Sequence, residues 1–289
     1  FALRELGAAN PDALAQRLQQ DPAYALVTPS SVLAAARATV ERAREALPGF
    51  FAVLPHGEVV VEPIPSYSEA FAAAHYQPGS SDGARPGVFH VWRSPHPSRT
   101  ALTMQALTFH EAIPGHHLQM ALAVENARAL DVARYWGFAS SAAVEGWALY
   151  AERLAAEMGS YTGPEARFVA FQAERFRAAR VVVDTGLHHK GWSRQQAIAF
   201  LVAHGVARDF ATPEVDRYVA MPGQATSYTV GLVELRDLRA TAEQRLGARF
   251  DLRAFHARVL EDGLVPLSWQ RQKVMRWVEQ GGEAARPSP

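Results

Sequence analysis

The chain has 289 residues, no cysteine, 48% hydrophobic residues, and 29 basic against 29 acidic side chains. That content supports a substantial core in one or two domains, and the balanced charge removes any global electrostatic reason to expect nucleic acid as a partner. Without cysteine there are no disulfides, thiolate metal sites or thiol nucleophiles, so a metal would have to rest on His, Asp or Glu.

No run approaches the roughly 18 consecutive apolar residues of a membrane span, and no basic segment followed by an apolar one opens the chain. A soluble chain without membrane span or signal peptide is therefore expected. It begins on Phe1 instead of Met, which reads as processing or as a piece of a longer protein.

Ala, Leu, Arg and Glu dominate, and apolar residues recur three and four apart, so most of the chain reads as helix. Thr28-Pro29-Ser30 opens a helix expected to end at about Leu47, before Pro48-Gly49. Strand signals are confined to the N-terminal third. Phe50 to Leu54 and Val59 to Glu62 flank Pro55-His56-Gly57-Glu58 like a hairpin, and Gly87 to Trp92 reads as a further strand, with a loop from Gln77 to Gly87. The expected fold is mainly α with a small antiparallel β-sheet within about residues 50–92, followed by a helical region over about 98–280, in a single domain. Ser98 is the expected start of the next helix, and Ser141 lies near the start of another. Gly163-Pro164-Glu165 begins a long one, Ser193 with Gln196 resembles a capping box, and Thr212-Pro213-Glu214 is read as a further start. The tail from Gly281 to Pro289 reads as frayed.

The chemistry concentrates in Thr108-Phe109-His110-Glu111-Ala112-Ile113-Pro114-Gly115-His116-His117-Leu118-Gln119. Zinc peptidases place two histidines four apart on one helical turn, about 6 Å along the axis, with a glutamate beside the first. Here a proline and a glycine stand where the second histidine belongs. On a regular helix His116 points roughly 120° away from His110, and His117 returns to the same face but about 10 Å along the axis. Neither can then share a metal with His110. Pro114 removes a helical hydrogen bond and Gly115 admits unusual backbone angles, so a break that swings a later histidine back is expected here. Residue types alone leave His116 and His117 open as the second ligand.

A second segment, Val144-Glu145-Gly146-Trp147-Ala148-Leu149-Tyr150-Ala151-Glu152, carries two carboxylates seven apart on one helix face. A glutamate on a following helix is a common third ligand to a two-histidine zinc, and Trp147 and Tyr150 mark this helix as buried, where carboxylates need partners.

HEAIPGHHLQ, EGWALYAERL, RVVVDTGLHHKGWS and MPGQATSYTVG occur in this order and together resemble the bacterial family of domain of unknown function 885, itself similar to gluzincin-type zinc metallopeptidases. The resemblance runs from about Gly87 to Leu238, and family members are considerably longer. It implies a helical metallopeptidase-like scaffold holding one zinc per chain and acting on a peptide substrate. His110, His116 and Glu145 would be the ligands and Glu111 the general base. His116 is favoured over His117 because Pro-Gly-His-His-Leu matches the end of the signature in related carboxypeptidases. Such a zinc lowers the pKa of water in its open position to about 7, and Glu111 can take the proton. Tyr228 or His188 could donate to the oxyanion. Asp184 could orient His188 or support a ligand, as could Glu152 and Gln224. Arg180 and Arg236 could hold a substrate carboxylate, although a surface position is the commoner place for each.

The strand Val88 to Trp92 could offer an open edge to an extended peptide. Gly79-Ser80-Ser81-Asp82-Gly83 matches the serine-hydrolase elbow but lacks the strand and helix that motif needs. No Glu-x-x-His pair supports a di-iron bundle. A second functional reading is a catalytically silent binding module on the same scaffold.

Overall fold

The structure, a computed structural model, describes residues 1–69, 72–135 and 141–282. Residues 283–289 of the expected frayed tail lie outside the described residues. It is mainly helical.

The chain begins with α1 (Ala2–Leu6), α2 (Pro11–Gln20), a 3-10 turn at Pro22–Tyr24, and the long α3 (Pro29–Phe50). Thr28 and Ser31 cap α3 reciprocally, each side chain accepting the other's backbone N–H at 3.1 Å. Contrary to expectation, α3 runs through Pro48 and Gly49. Pro48 removes only one bond in the last turn, while Phe51, buried to 2% exposure, donates its N–H to the Leu47 carbonyl at 2.9 Å and packs edge-on against Trp147. The tertiary anchor outweighs the local stop signal. Phe50 to Leu54 is consequently no strand, and the expected hairpin does not form.

The sheet consists of β1 (Val59–Pro63), β2 (His75–Gln77) and β3 (Gly87–Val91) in the order β1-β3-β2. It is mixed where an antiparallel sheet was expected: β1 pairs parallel with β3, with Val61 opposite Phe89, and β2 pairs antiparallel with it, with Tyr76 opposite Phe89. A parallel pair has no short turn to announce it in sequence, and a three-residue strand has almost no periodicity to read. Because β3 is central, the open edge expected along it is not there. Alternation turns Val59, Val61, Tyr76, Phe89 and Val91 inward. Ser80 lies in the loop between β2 and β3, hydrogen-bonded to Asp82 at 2.5 Å.

The helical part follows as α4 (Ala101–Glu111), α5 (His116–Glu125), α6 (Asp131–Tyr135), α7 (Ser141–Glu157) and α8 (Pro164–His188). Then come α9 (Arg194–Ala203), α10 (Arg208–Ala220), α11 (Ser227–Leu246), α12 (Leu252–Leu260) and α13 (Leu267–Glu279). The box that opens α4 is Thr100 with Thr103, not Ser98, and the expected box of Ser193 with Gln196 opens α9. Thr212-Pro213 does not start a helix. It lies inside α10, where the Thr212 hydroxyl bonds the Arg208 carbonyl at 2.8 Å.

The centre of the fold is α7. Trp147, Leu149 and Leu154 are fully buried in the main core, with α4 and α11 packed along this helix. The two axes approach closely because glycines meet: a Cβ on Gly146 would stand 2.3 Å from the Gly231 Cα. Helix α8 packs on α4 at one end and reaches a second apolar cluster at the other, formed by Val183, Ile198, Leu201, Val215 and Tyr218.

Candidate metal centre

The break in the motif is built by close backbone contact. Helix α4 stops at Glu111, the Ile113–Pro114 peptide is cis, and α5 begins at His116 with Gly115 as its N-cap. A Cβ on Gly115 would fall 1.9 Å from the His110 carbonyl oxygen and 2.3 Å from that of Phe109, so only glycine lets the chain fold back on α4. The Trp147 indole N–H donates to the carbonyls of Pro114 and Gly115, at 3.0 and 3.3 Å, tying the turn to α7. The expected swing of a later histidine toward His110 is what results: the His110 and His116 rings lie 4.8 Å apart, nearly perpendicular.

Glu145 of α7 completes a group of three. One ligand atom from each of His110, His116 and Glu145 lies within 4.8 Å of the others. The Nε2 atoms of both histidines stand 3.4 Å from the same Glu145 Oε2. That is longer than an ordinary hydrogen bond, and Oε2 is buried without a hydrogen-bond partner. Two ligands each about 2.1 Å from a tetrahedral ion are about 3.4 Å apart. The donor set and its spacing therefore fit a metal ion. His110 and His116 are 4% and 7% exposed, whereas the Glu145 side chain is 19% exposed and marks the open side.

The second carboxylate on the α7 face holds the other nitrogen of His110. Glu152 Oε1 lies 2.8 Å from His110 Nδ1, so Nε2 is left to face Glu145. Burial disfavours the imidazolium, but Glu145 and Glu152 outweigh it and raise the His110 pKa to about 9. Burial likewise opposes the Glu145 carboxylate, and the two histidines overcome it, holding its pKa well below the usual range. His116 Nδ1 is buried without a hydrogen-bond partner, so no second-side contact comparable to Glu152 on His110 fixes its ring.

The remaining residues named in the sequence divide into near and far. Glu111 is 8% exposed, and its carboxylate makes no hydrogen bond or ion pair among the described residues. Tyr228 stacks on His110, ring centroids 6.0 Å apart, and its pKa is raised by burial and by Glu145. Gln224 accepts from Arg180 at 3.2 Å and from Arg217 at 3.0 Å. Asp184 accepts from the Gly223 N–H, which pins the turn before α11, and among the described residues makes no hydrogen bond or ion pair with His188. His188 is placed away from the centre: its Nε2 meets the Tyr218 carbonyl at 3.0 Å, about 16 Å along α8 from Arg177. Arg236 is exposed and lines a cleft of about 460 Å³ with Tyr161, Glu174 and Arg239, which touches the centre only through Glu152.

His117 faces the opposite way. Its Nδ1 meets the Tyr76 hydroxyl at 2.9 Å and its Nε2 the Gly57 carbonyl at 3.1 Å. Both nitrogens are taken, and burial pushes its pKa down to about 4. Of the two adjacent histidines, the break delivers His116.

Sequence reading passed over Arg177 altogether, and for Arg180, named as a candidate to hold a substrate carboxylate, it favoured a surface position. Arg177 pairs with Glu152 at 3.4 Å, and burial, which lowers its pKa, is outweighed by Glu152, Tyr228, Glu145 and Glu111. Arg180 is 4% exposed, its guanidinium 4.3 Å from the Tyr228 ring centroid. Residues 177, 180, 184 and 188 make one polar stripe at helical spacing, and that stripe was the available signal.

Fold and site together define a mainly helical domain with a buried two-histidine, one-glutamate cluster able to hold a metal ion. The sequence matches over residues 2–274 the family described as bacterial protein of unknown function, DUF885, and the chain belongs to that family. Among solved structures it is similar to a protein from Colwellia psychrerythraea whose name calls it a lipoprotein. The two share 33% identity and a TM-score of 0.87, covering 93% of this chain and 46% of that one. A second so-named lipoprotein, of unknown function, from Shewanella oneidensis shares 25% identity and a TM-score of 0.78, covering 93% of this chain and 50% of that one. The chain thus spans about half the length of these relatives. No curated protein matches it. Among the described residues no helix is long and apolar enough to cross a membrane.

Proposed function

We propose that the chain carries the centre of a zinc-dependent peptidase, with His110, His116 and Glu145 holding the metal and Glu111 as general base. The observation that carries this reading is the pair of 3.4 Å approaches of two imidazole nitrogens to one buried, otherwise unpartnered carboxylate oxygen. Three protein ligands of this kind leave one position open, as catalytic zinc sites do, and zinc bound there supplies Lewis acidity and a water whose pKa is about 7.

The chain's own groups take the other parts. Glu111 follows ligand His110 directly, lies beside the cluster and has no competing hydrogen bond or ion pair among the described residues, so it is free to accept a proton and return it to a leaving amine. The Tyr228 hydroxyl remains protonated under ordinary conditions, since burial and Glu145 raise its pKa, and can donate to an oxyanion. Glu152 fixes the His110 ring, and Arg177 in turn fixes Glu152. The distance along α8 removes His188 from this scheme and leaves the oxyanion to Tyr228. The resemblance of this family to gluzincin-type peptidases supports peptides as the substrate.

The test is metal analysis with turnover. Purified protein should carry about one zinc per chain, and Glu111→Gln should keep it while peptide hydrolysis falls by about 10²–10⁴. Folded protein that takes up no zinc would overturn the proposal in favour of a silent binding module.

A further inference from the structure

Three arginines surround the Tyr228 and Gln224 side of the centre, and two of them have acidic partners. Arg177 pairs with Glu152, and Arg217 pairs with Glu214 at 2.8 Å. Arg180 has none: no ion pair forms with it among the described residues, and its Nε is buried without a hydrogen-bond partner. Glu214 feels its charge but gives its oxygens to Arg217 and Tyr218. What holds Arg180 is neutral: the Gln224 side-chain oxygen at 3.2 Å, and the rings of Tyr228, Tyr218 and Phe176 at 4.3, 5.4 and 5.7 Å. A buried cation in such surroundings lacks the anion that would balance its desolvation. Its planar fork suits a carboxylate, accepted in two parallel hydrogen bonds.

Its distance from the metal cluster limits what that anion can be. The Tyr228 ring centroid lies 6.0 Å from that of His110 and 4.3 Å from the Arg180 guanidinium, so the guanidinium lies no more than about 10 Å from the His110 ring. An extended peptide residue spans at most about 3.6 Å, and a charge-assisted hydrogen bond adds about 2.8 Å. With the scissile carbonyl at the cluster, one residue reaches about 6 Å and two about 10 Å, so a carboxylate one or two residues past the scissile bond comes within reach of Arg180, while a longer extended segment would overshoot.

We propose that Arg180 receives the free C-terminal carboxylate of the substrate, so that the centre takes peptides by their C-terminal end and releases the last one or two residues. This rests on the peptidase reading and specifies its substrate class. Gln224 acts with it as a positioning residue that aims the fork, and the guanidinium packs against the Tyr228 ring.

The experiment uses fluorescent N-acylated tripeptides, each as free acid and as C-terminal amide, with two readouts: hydrolysis by the zinc-loaded chain and fluorescence anisotropy of binding to the metal-free chain. Free acids should be hydrolysed about 10²-fold more efficiently than amides and should bind the metal-free chain more tightly by a similar factor. Arg180→Met should erase the difference in both readouts with zinc content unchanged, and Arg180→Lys should restore part of it. Equal handling of acids and amides by the unaltered chain would overturn the proposal, and needs no variant to fold. So would a preference that survives Arg180→Met. If no peptide is cut and no zinc is held, the peptidase reading fails, and anisotropy on the metal-free chain still decides whether Arg180 binds a carboxylate.

Discussion

Two histidines adjacent in sequence end in regions of opposite character. His117 lies toward the sheet with both nitrogens within 3.1 Å of protein partners, the Tyr76 hydroxyl and the Gly57 carbonyl. His116 lies toward α7 with Nδ1 unpartnered and Nε2 at 3.4 Å from an oxygen that has no hydrogen-bond partner. Burial is nearly the same, at 3% and 7%. Inside a protein a saturated imidazole is structural, because its polar groups are already repaid for leaving water, whereas a buried cluster left short of partners calls for an additional one. Satisfaction of polar atoms, not burial or residue type, separates the two.

The largest expected effect divides the pair outright. His116→Ala should lower zinc content from about one per chain to none, and His117→Ala should retain the metal while costing about 1–3 kcal/mol of stability through the unpaired Tyr76 and Gly57 groups. Metal analysis beside denaturant unfolding reads both, and retention of zinc in the first variant with loss in the second would reverse the assignment.

A change at the turn should disturb both regions together. Gly115→Ala puts a methyl group against the His110 and Phe109 carbonyls, and should destabilise the fold by about 3 kcal/mol while weakening zinc uptake. A variant as stable as the parent would show that the turn has room to relax.

The effect least visible at neutral pH concerns another saturated histidine. His256 has Nε2 2.8 Å from the Tyr150 hydroxyl and Nδ1 2.8 Å from the Phe50 carbonyl, and burial pushes its pKa down to about 4. The unfolded chain, with a histidine pKa near 6.5, binds the extra proton first as pH falls. The stability His256 contributes is therefore complete above about pH 6.5 and is lost between there and about pH 4, on the order of 3 kcal/mol at most. In His256→Gln the slope of unfolding free energy over that window should flatten, and an unchanged slope would assign the acid sensitivity elsewhere.

How far the sequence could be read follows from the range of each interaction. The starts of α3, α8 and α9 were legible, because a capping pair three residues apart (α3, α9) or a proline at the first helical position (α8) acts locally. The end of α3 was not, because Phe51 is held by Trp147, nearly a hundred residues away. The sheet was misread for the same reason, since β1 and β3 pair across an intervening strand. At the centre, the need for a backbone break could be derived from helix geometry, and the pair Glu145 and Glu152 from their spacing on one face.

By itself, then, the sequence determined a mainly helical chain in which a metal could rest only on His, Asp or Glu, and in which His110 needed a kinked backbone to gain a second histidine. Spacing, composition and the backbone limits of proline and glycine are local properties and survive without a fold. The tertiary structure decided that the histidine brought beside His110 is His116, that Glu152 orients His110 while Glu145 faces the opening, that His188 lies away and that Arg180 is buried with no ion-pair partner among the described residues. Each of those depends on which helices lie side by side, and that is set by the packing of α4, α7, α8 and α11 around Trp147 and the Gly146–Gly231 contact.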